Sequence, residues 1–231
     1  MNAARTEAVL FDIDGTLIST GGASNRAWKR AFKELHDVDL DVPALTGKGV
    51  PDPEVGRQCF VAALGREPTG EEAAALMRRR LDHLPEEVEN SPGFVVKDGV
   101  VELLDRLIDD GVTLGLTTGN VEEAAHIKLA RANLNRFFSF GGYGSDSADR
   151  GELTRKAIDR AGEILGSALD SRRVLVVGDT PNDIAAAHAA GAVGIGVASG
   201  HASKEELHGA GADYVLGSLL EELPGVAEPV L

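Results

Sequence analysis

Short apolar runs recur along this chain, separated by longer stretches in which apolar residues return every three or four positions. From residue 96 onward the runs "VTLGLTT", "VLVVGD" and "AVGIGVA" alternate with such stretches, which predicts repeated strand–helix units. The runs are nearly continuous, with no in-out alternation, so they suit a parallel sheet covered by helices on both faces. "ADYVLGS", residues 212 to 218, predicts one more strand near an edge, and "FFSFGGYG" ends a further short one. The opening run, "VLFDIDGTL" at residues 9 to 17, reads as another buried strand. Between it and residue 96 the character changes. "ASNRAWKRAFKEL", "PEVGRQCFVAAL" and "GEEAAALMRRRLDHL" are helical in spacing, with no strand among them, and predict an all-helical insertion. Ala27, Ala31, Phe32 and Leu35 share one face, and Ala73, Leu76, Met77 and Leu81 another, with Trp28 and the phenylalanines in its core. The Gly-containing segments "DGTLISTGG" and "NSPGFVVKDG" bound the insertion as hinges. An α/β core over residues 1–18 and 94–231, with helices over 19–93, is the expectation.

Composition narrows the function classes. The 231 residues suffice for one sizeable core with a smaller satellite, and 43% hydrophobic with 26% charged residues is a globular balance. No apolar stretch approaches the roughly 18 residues of a membrane span. The net charge of −14 repels nucleic-acid backbones and anionic membrane surfaces, so neither is an expected partner. The same field opposes an anionic substrate unless a metal or a local basic cluster offsets it. The lone cysteine, Cys59, has no disulfide partner and reads as a buried small apolar residue. "MNAARTEAVLFD" lacks the features of a secretory signal, which predicts a cytoplasmic protein. The six histidines, His36, His83, His126, His188, His201 and His208, show no metal-ligand spacing and are expected to be structural or solvent-facing.

Three segments carry candidate chemistry. In a strand, side chains at i and i+2 point the same way, so Asp12 and Asp14 can face one spot at the carboxyl end of the first strand. Open parallel sheets bind ligands at that end. Gly15 lets the backbone turn immediately afterwards. In "VLVVGDTPNDIAAAHAAG" a second strand ends in Gly178-Asp179, and Thr180-Pro181 start a helix with Asp183 on its first turn. Close carboxylates repel unless a cation or proton intervenes, and an all-oxygen ligand set favours magnesium over zinc. In "LGLTTGNVEEAAHIKLA" a strand ends in Thr117-Thr118, with Gly119-Asn120 leading into a helix, a junction whose hydroxyl and N–H groups can cradle an oxyanion.

"DIDGT", "LTTGN" and "GDTPND", in this order and with a helical insertion after the first, resemble the haloacid dehalogenase superfamily, and within it the phosphoglycolate-phosphatase-like hydrolases with a helical cap. The resemblance spans essentially the whole chain and implies a Rossmann-like core. It implies that Asp12 is the nucleophile, forming an aspartyl-phosphate, and that Asp14 is the general acid and then the base. Magnesium would be held by Asp12, the backbone carbonyl of Asp14 and Asp179, with Asp183 direct or through water. Thr118 corresponds to the phosphate-binding Ser/Thr, with Thr117 one position away as the alternative, and Gly119 and Asn120 follow it. The family's usual lysine, often in a Lys-Pro pair before a helix, is missing from "DSADRGELTRKAIDRAG". Arg150 takes its place by distance from the helix, and Lys156 is the alternative. Lys48, in the insertion loop "LTGKGVPDPEV", is a candidate substrate contact. The implied activity is a Mg²⁺-dependent phosphatase for a small phosphorylated metabolite. A phosphosugar mutase and a non-catalytic binding protein are the alternatives.

Overall fold

The computed structural model describes residues 6–226. The ends of the expected core segment, 1–5 and 227–231, and with 1–5 part of the N-terminal stretch read for a signal, lie outside the described residues. Among those described, six strands form one parallel sheet: β1 (Ala8–Phe11), β4 (Thr113–Thr118), β5 (Gly141–Tyr143), β6 (Val174–Gly178), β7 (Val193–Val197) and β8 (Tyr214–Leu216). Their order is β5-β4-β1-β6-β7-β8, so β1, the first strand in sequence, lies inside the sheet between β4 and β6. Phe11 pairs with Leu116 of β4 and with Val177 of β6. This register places the residues that follow β1, β4 and β6 in one layer at the carboxyl edge.

Both faces of the sheet are covered, which is why its strands are apolar throughout. Val9, Phe11, Leu175 and Val177 face one core with Val100, Leu103, Leu104 and Leu107 of α5 (Val100–Asp109) and Leu129 of α6 (Glu122–Ala130). Ala8, Leu10, Val174 and Val176 face the other, with Ala157, Ile158 and Ala161 of α7 (Arg150–Leu165) and Ala187 of α8 (Pro181–Ala189). Both strands expected from "FFSFGGYG" and "ADYVLGS" form, and they lie at the two edges, the position expected for the second. A short helix, α9 (Lys204–Gly209), precedes β8.

Between Thr20 and Phe94 the chain is helical: α1 (Ala23–His36), α2 (Val42–Leu45), α3 (Asp52–Leu64) and α4 (Gly70–Glu89). Trp28, Ala31, Phe32, Val42, Cys59, Phe60 and Leu76 form its own cluster. Cys59 is buried there, and burial pushes its thiol up to about 11, as fits an inert core residue. Two segments read as hinges instead pair as antiparallel strands, β2 (Ile18–Thr20) and β3 (Phe94–Val96), which hold the two ends of the insertion together. The helix faces also differ in part from the spacing. Leu35 and Ala73 are exposed, and α4 buries Leu76, Arg80, Leu84 and Val88 instead. An arginine on that face disguised it. Arg80 is fully buried, its guanidinium 5.2 Å from the Trp28 ring centroid, and its Nη2 donates to Asp52 Oδ1 at 3.1 Å and to Ser24 Oγ at 3.0 Å. Among the described residues no helix is long and apolar enough to cross a membrane.

Removing one partner of a buried ion pair leaves the other charge uncompensated, at about 3–5 kcal/mol. Asp52→Ala is therefore expected to lower the melting midpoint by about 10 °C. The double variant Asp52→Ala/Arg80→Met should recover part of that loss, because the buried Val121 N–H still lacks the Asp52 Oδ2 acceptor. Both are read by thermal denaturation.

Candidate active site

The layer at the carboxyl ends of β1, β4 and β6 forms the floor of a cleft of about 460 Å³ whose roof comes from α1, α3 and the loop between α2 and α3. Asp12 directly follows β1, and its N–H donates to Val177 O at 2.9 Å, continuing the sheet for one more residue. Its carboxylate therefore meets Asp179, which follows β6, and Asp183, on the first turn of α8. One oxygen from each of the three lies within 4.8 Å of the others, and all three residues are buried. Asp183 Oδ2 accepts from Thr180 N at 3.0 Å and Thr180 Oγ1 at 2.6 Å, so the helix cap also aims this carboxylate. Gly15 adopts a φ of 93°, and a Cβ there would overlap the Asp179 carboxylate. Only glycine serves at that turn.

Three buried carboxylates around one point are costly alone. Burial pushes the Asp12 carboxyl well above its ordinary value of 3.8, Asp183 and Asp179 push it further, and Arg150 opposes them. The buried, all-oxygen cluster thus fits a small hard cation. Arg150, the first residue of α7, contacts Asp183, reaches within 3.7 Å of Asp12 Oδ1, and donates from Nη1 to Gly49 O at 3.1 Å. Lys156 is half-exposed and stands 3.9 Å from Asp146, away from the cleft. Arg150 is therefore the cation that the structure brings to Asp12.

The two threonines of "LTTGN" point to opposite sides. Thr117 Oγ1 hydrogen-bonds to Thr154 Oγ1 of α7 at 2.8 Å, whereas Thr118 lines the cleft with Gly119 and Asn120. Gly119 is squeezed between the insertion and the core: a Cβ there would stand 3.0 Å from Pro51 Cα and 3.1 Å from Arg150 Nη1. Asp14 lines the same cleft as Asp12, and its Oδ2 accepts from Asn120 Nδ2 at 2.8 Å and Lys128 Nζ at 2.6 Å. Burial raises the Asp14 carboxyl, but the Lys128 ammonium and the Asn120 amide more than offset this and hold it below the ordinary range. Lys48 is exposed at the mouth of the cleft, and its carbonyl accepts from Asn182 Nδ2 at 3.1 Å.

Two residues at the site escaped the sequence reading. His201 is no bystander: its N–H donates to Asp179 Oδ2 at 2.6 Å and its Nδ1 lies 2.8 Å from the same oxygen. That hydrogen bond with Asp179 raises the His201 imidazole above its ordinary value. Lys128 sits on the buried face of α6 with Ala124, Ala125 and Leu129, and a lysine in register with that apolar face was the available signal.

A sequence model of the haloacid dehalogenase-like hydrolases matches residues 6–191. Over 218 residues the chain is 29% identical to a phosphoglycolate phosphatase of Caulobacter vibrioides, covering 92% of this chain and 87% of that protein. It is 27% identical over 221 residues to the validoxylamine A 7'-phosphate phosphatase of Streptomyces hygroscopicus subsp. limoneus, covering 93% and 95%. Among solved structures, CbbY from Rhodobacter sphaeroides in complex with phosphate has a TM-score of 0.76 at 23% identity, over 96% of this chain and 99% of that one. The chain belongs to the haloacid dehalogenase-like hydrolases. It is an enzyme of the phosphatase class, acting on phosphoric monoesters.

Because the folded-state pKa of Asp12 is raised, its contribution to stability is greatest below the unfolded value of 3.8 and is lost as pH rises toward the folded value. In chelator, Asp12→Asn is therefore expected to be more stable than the parent at pH 7, by about 2–4 °C, roughly 1 kcal/mol in melting midpoint. The difference should vanish near pH 4. Melting curves at the two pH values check both the sign and its disappearance.

Proposed function

We propose that this chain is a Mg²⁺-dependent phosphatase for small phosphomonoester metabolites of the phosphoglycolate type, working through an aspartyl-phosphate on Asp12. The observation that carries this reading is the convergence of the Asp12, Asp179 and Asp183 carboxylates with Arg150, beside the Thr118 hydroxyl, in one cleft. A carboxylate oxygen of Asp12 attacks phosphorus, and the bond from phosphorus to the ester oxygen breaks. Asp14 gives its proton to that departing oxygen, then takes one from the water that attacks the aspartyl-phosphate. The Lys128 and Asn120 contacts favour the ionised form of Asp14, which is the form needed for the water step. The phosphoryl dianion brought beside Asp14 raises its proton affinity for the first step. Arg150 and the Thr118–Asn120 turn bind the phosphoryl oxygens.

Asp12, Asp179, Asp183 and the backbone carbonyl of Asp14 would hold the magnesium ion, which when bound neutralises the phosphoryl oxygens and relieves the repulsion among the carboxylates. Residues 19–93 act as a cap over the core of 1–18 and 94–231, shielding the reaction from water. The reading includes a cytoplasmic location and substrates that are neither nucleic acid nor membrane.

Phosphate release from a panel of small phosphomonoesters is expected to require Mg²⁺ and to fall by about 10³-fold or more in Asp12→Asn. Release that persists in chelator, or in that variant, would sink the reading. Because the cation must displace the proton that burial favours on Asp12, the rise in melting midpoint caused by Mg²⁺ is expected to be larger at pH 8 than at pH 5. A shift independent of pH would exclude Asp12 as a ligand.

A further inference from the structure

Lys128 is only 2% exposed, although a buried ammonium is costly unless it is fully paired. Its Nζ lies 2.6 Å from Asp14 Oδ2 and 2.5 Å from Asn120 Oδ1. An ammonium only donates, so it selects the oxygen end of the Asn120 amide. The nitrogen end is then left as the donor, and Asn120 Nδ2 donates to the same Asp14 Oδ2 at 2.8 Å and to Thr118 Oγ1 at 2.8 Å. Thr118 Oγ1 also accepts from the Asn120 backbone N–H at 3.3 Å. With both lone pairs of that hydroxyl engaged as acceptors, its hydrogen is free to serve as a donor, and Thr118 lines the cleft. In Asp14, both the lysine and the amide bind Oδ2, which leaves Oδ1 as the oxygen to handle the proton.

We propose that Lys128 is a positioning residue for phosphoryl transfer, orienting the Asn120 amide so that the Thr118 hydroxyl donates to the phosphoryl group, and anchoring Asp14 beside the departing oxygen. Without the ammonium, Asn120 is free to turn its oxygen toward Thr118, whose hydrogen is then spent on the amide. Lys128 is distinct from the cation at Asp12, which is Arg150. The proposal rests on the phosphatase reading for the roles of Asp12 and Asp14, but the arrangement it describes can be tested without turnover.

The test uses Lys128→Met in the full chain, with two esters of different leaving groups. 4-Nitrophenyl phosphate needs little protonation of its leaving oxygen, whereas a small alkyl phosphate needs much. The expected result is a kcat about 10-fold lower on the first and about 10²-fold to 10³-fold lower on the second, with KM changed less than about threefold. A merely structural role would lower the active fraction and scale both esters alike, so equal losses, or none, overturn the proposal. Two further readouts need no activity. Inorganic phosphate, titrated calorimetrically, is expected to bind the variant about 5-fold to 10-fold more weakly. A crystal structure of the variant is expected to show the Asn120 amide turned and Asp14 displaced. Unchanged phosphate affinity with both side chains in place overturns the proposal. If the parent releases phosphate from neither ester, the phosphatase reading fails, while the titration and the structure still decide what Lys128 does. Should Lys128→Met not fold, Lys128→Gln, which retains a donor without charge, is expected to show the same leaving-group bias at smaller size, and its absence overturns the proposal.

Discussion

The crowding of three carboxylates, those of Asp12, Asp179 and Asp183, is the constraint around which the structure is arranged. It follows from parallel-strand register: with Phe11 opposite Val177, the residues that end β1 and β6 share one layer. Parallel strands accept this placement because their carboxyl edge opens onto a cleft while both faces stay buried. Every nearby feature answers the repulsion. Gly15 removes a Cβ that would meet Asp179, Thr180 and His201 donate to the carboxylates, and Arg150 supplies a fixed positive charge. A chain of net charge −14 that acts on anionic esters needs this local reversal of sign.

The helical insertion is joined to the same layer by hydrogen bonds. The Asp52 N–H donates to Gly119 O at 2.7 Å, and Asp52 Oδ2 accepts from Val121 N at 3.0 Å, so one residue at the start of α3 holds both ends of the Gly119–Val121 turn. Arg80, stacked on Trp28, in turn holds Asp52. The carbonyls of Lys48 and Gly49 accept from Asn182 and Arg150 of the core. The position of the insertion and the shape of the turn beside Thr118 are thus coupled through buried polar contacts, which have narrow geometric tolerance.

Much of this was legible in the chain. The apolar runs marked the parallel strands, including the short edge strand β8, because burial on both faces leaves few polar positions in a strand. The pairs Asp12 with Asp14 and Asp179 with Asp183 were visible because strand ends and helix starts aim side chains by local geometry alone. Arg150 could be placed by its distance from α7. The antiparallel pairing of β2 with β3 was not visible, since three-residue strands whose paired residues lie 74 to 78 positions apart carry no periodicity of their own.

What the sequence by itself determined was the set of chemical groups and the layer in which they lie, since both depend on residues adjacent in the chain. Only the tertiary structure decided which partner each group meets. It turned Thr117 to Thr154 and Thr118 to the cleft, moved Lys156 outside, drew His201 to Asp179, and brought Lys128 from α6 to Asp14, 114 residues away in sequence. The cost of a buried charge depends on partners supplied by distant segments, so whether a lysine on an apolar helix face is a surface residue or part of a site is settled by packing.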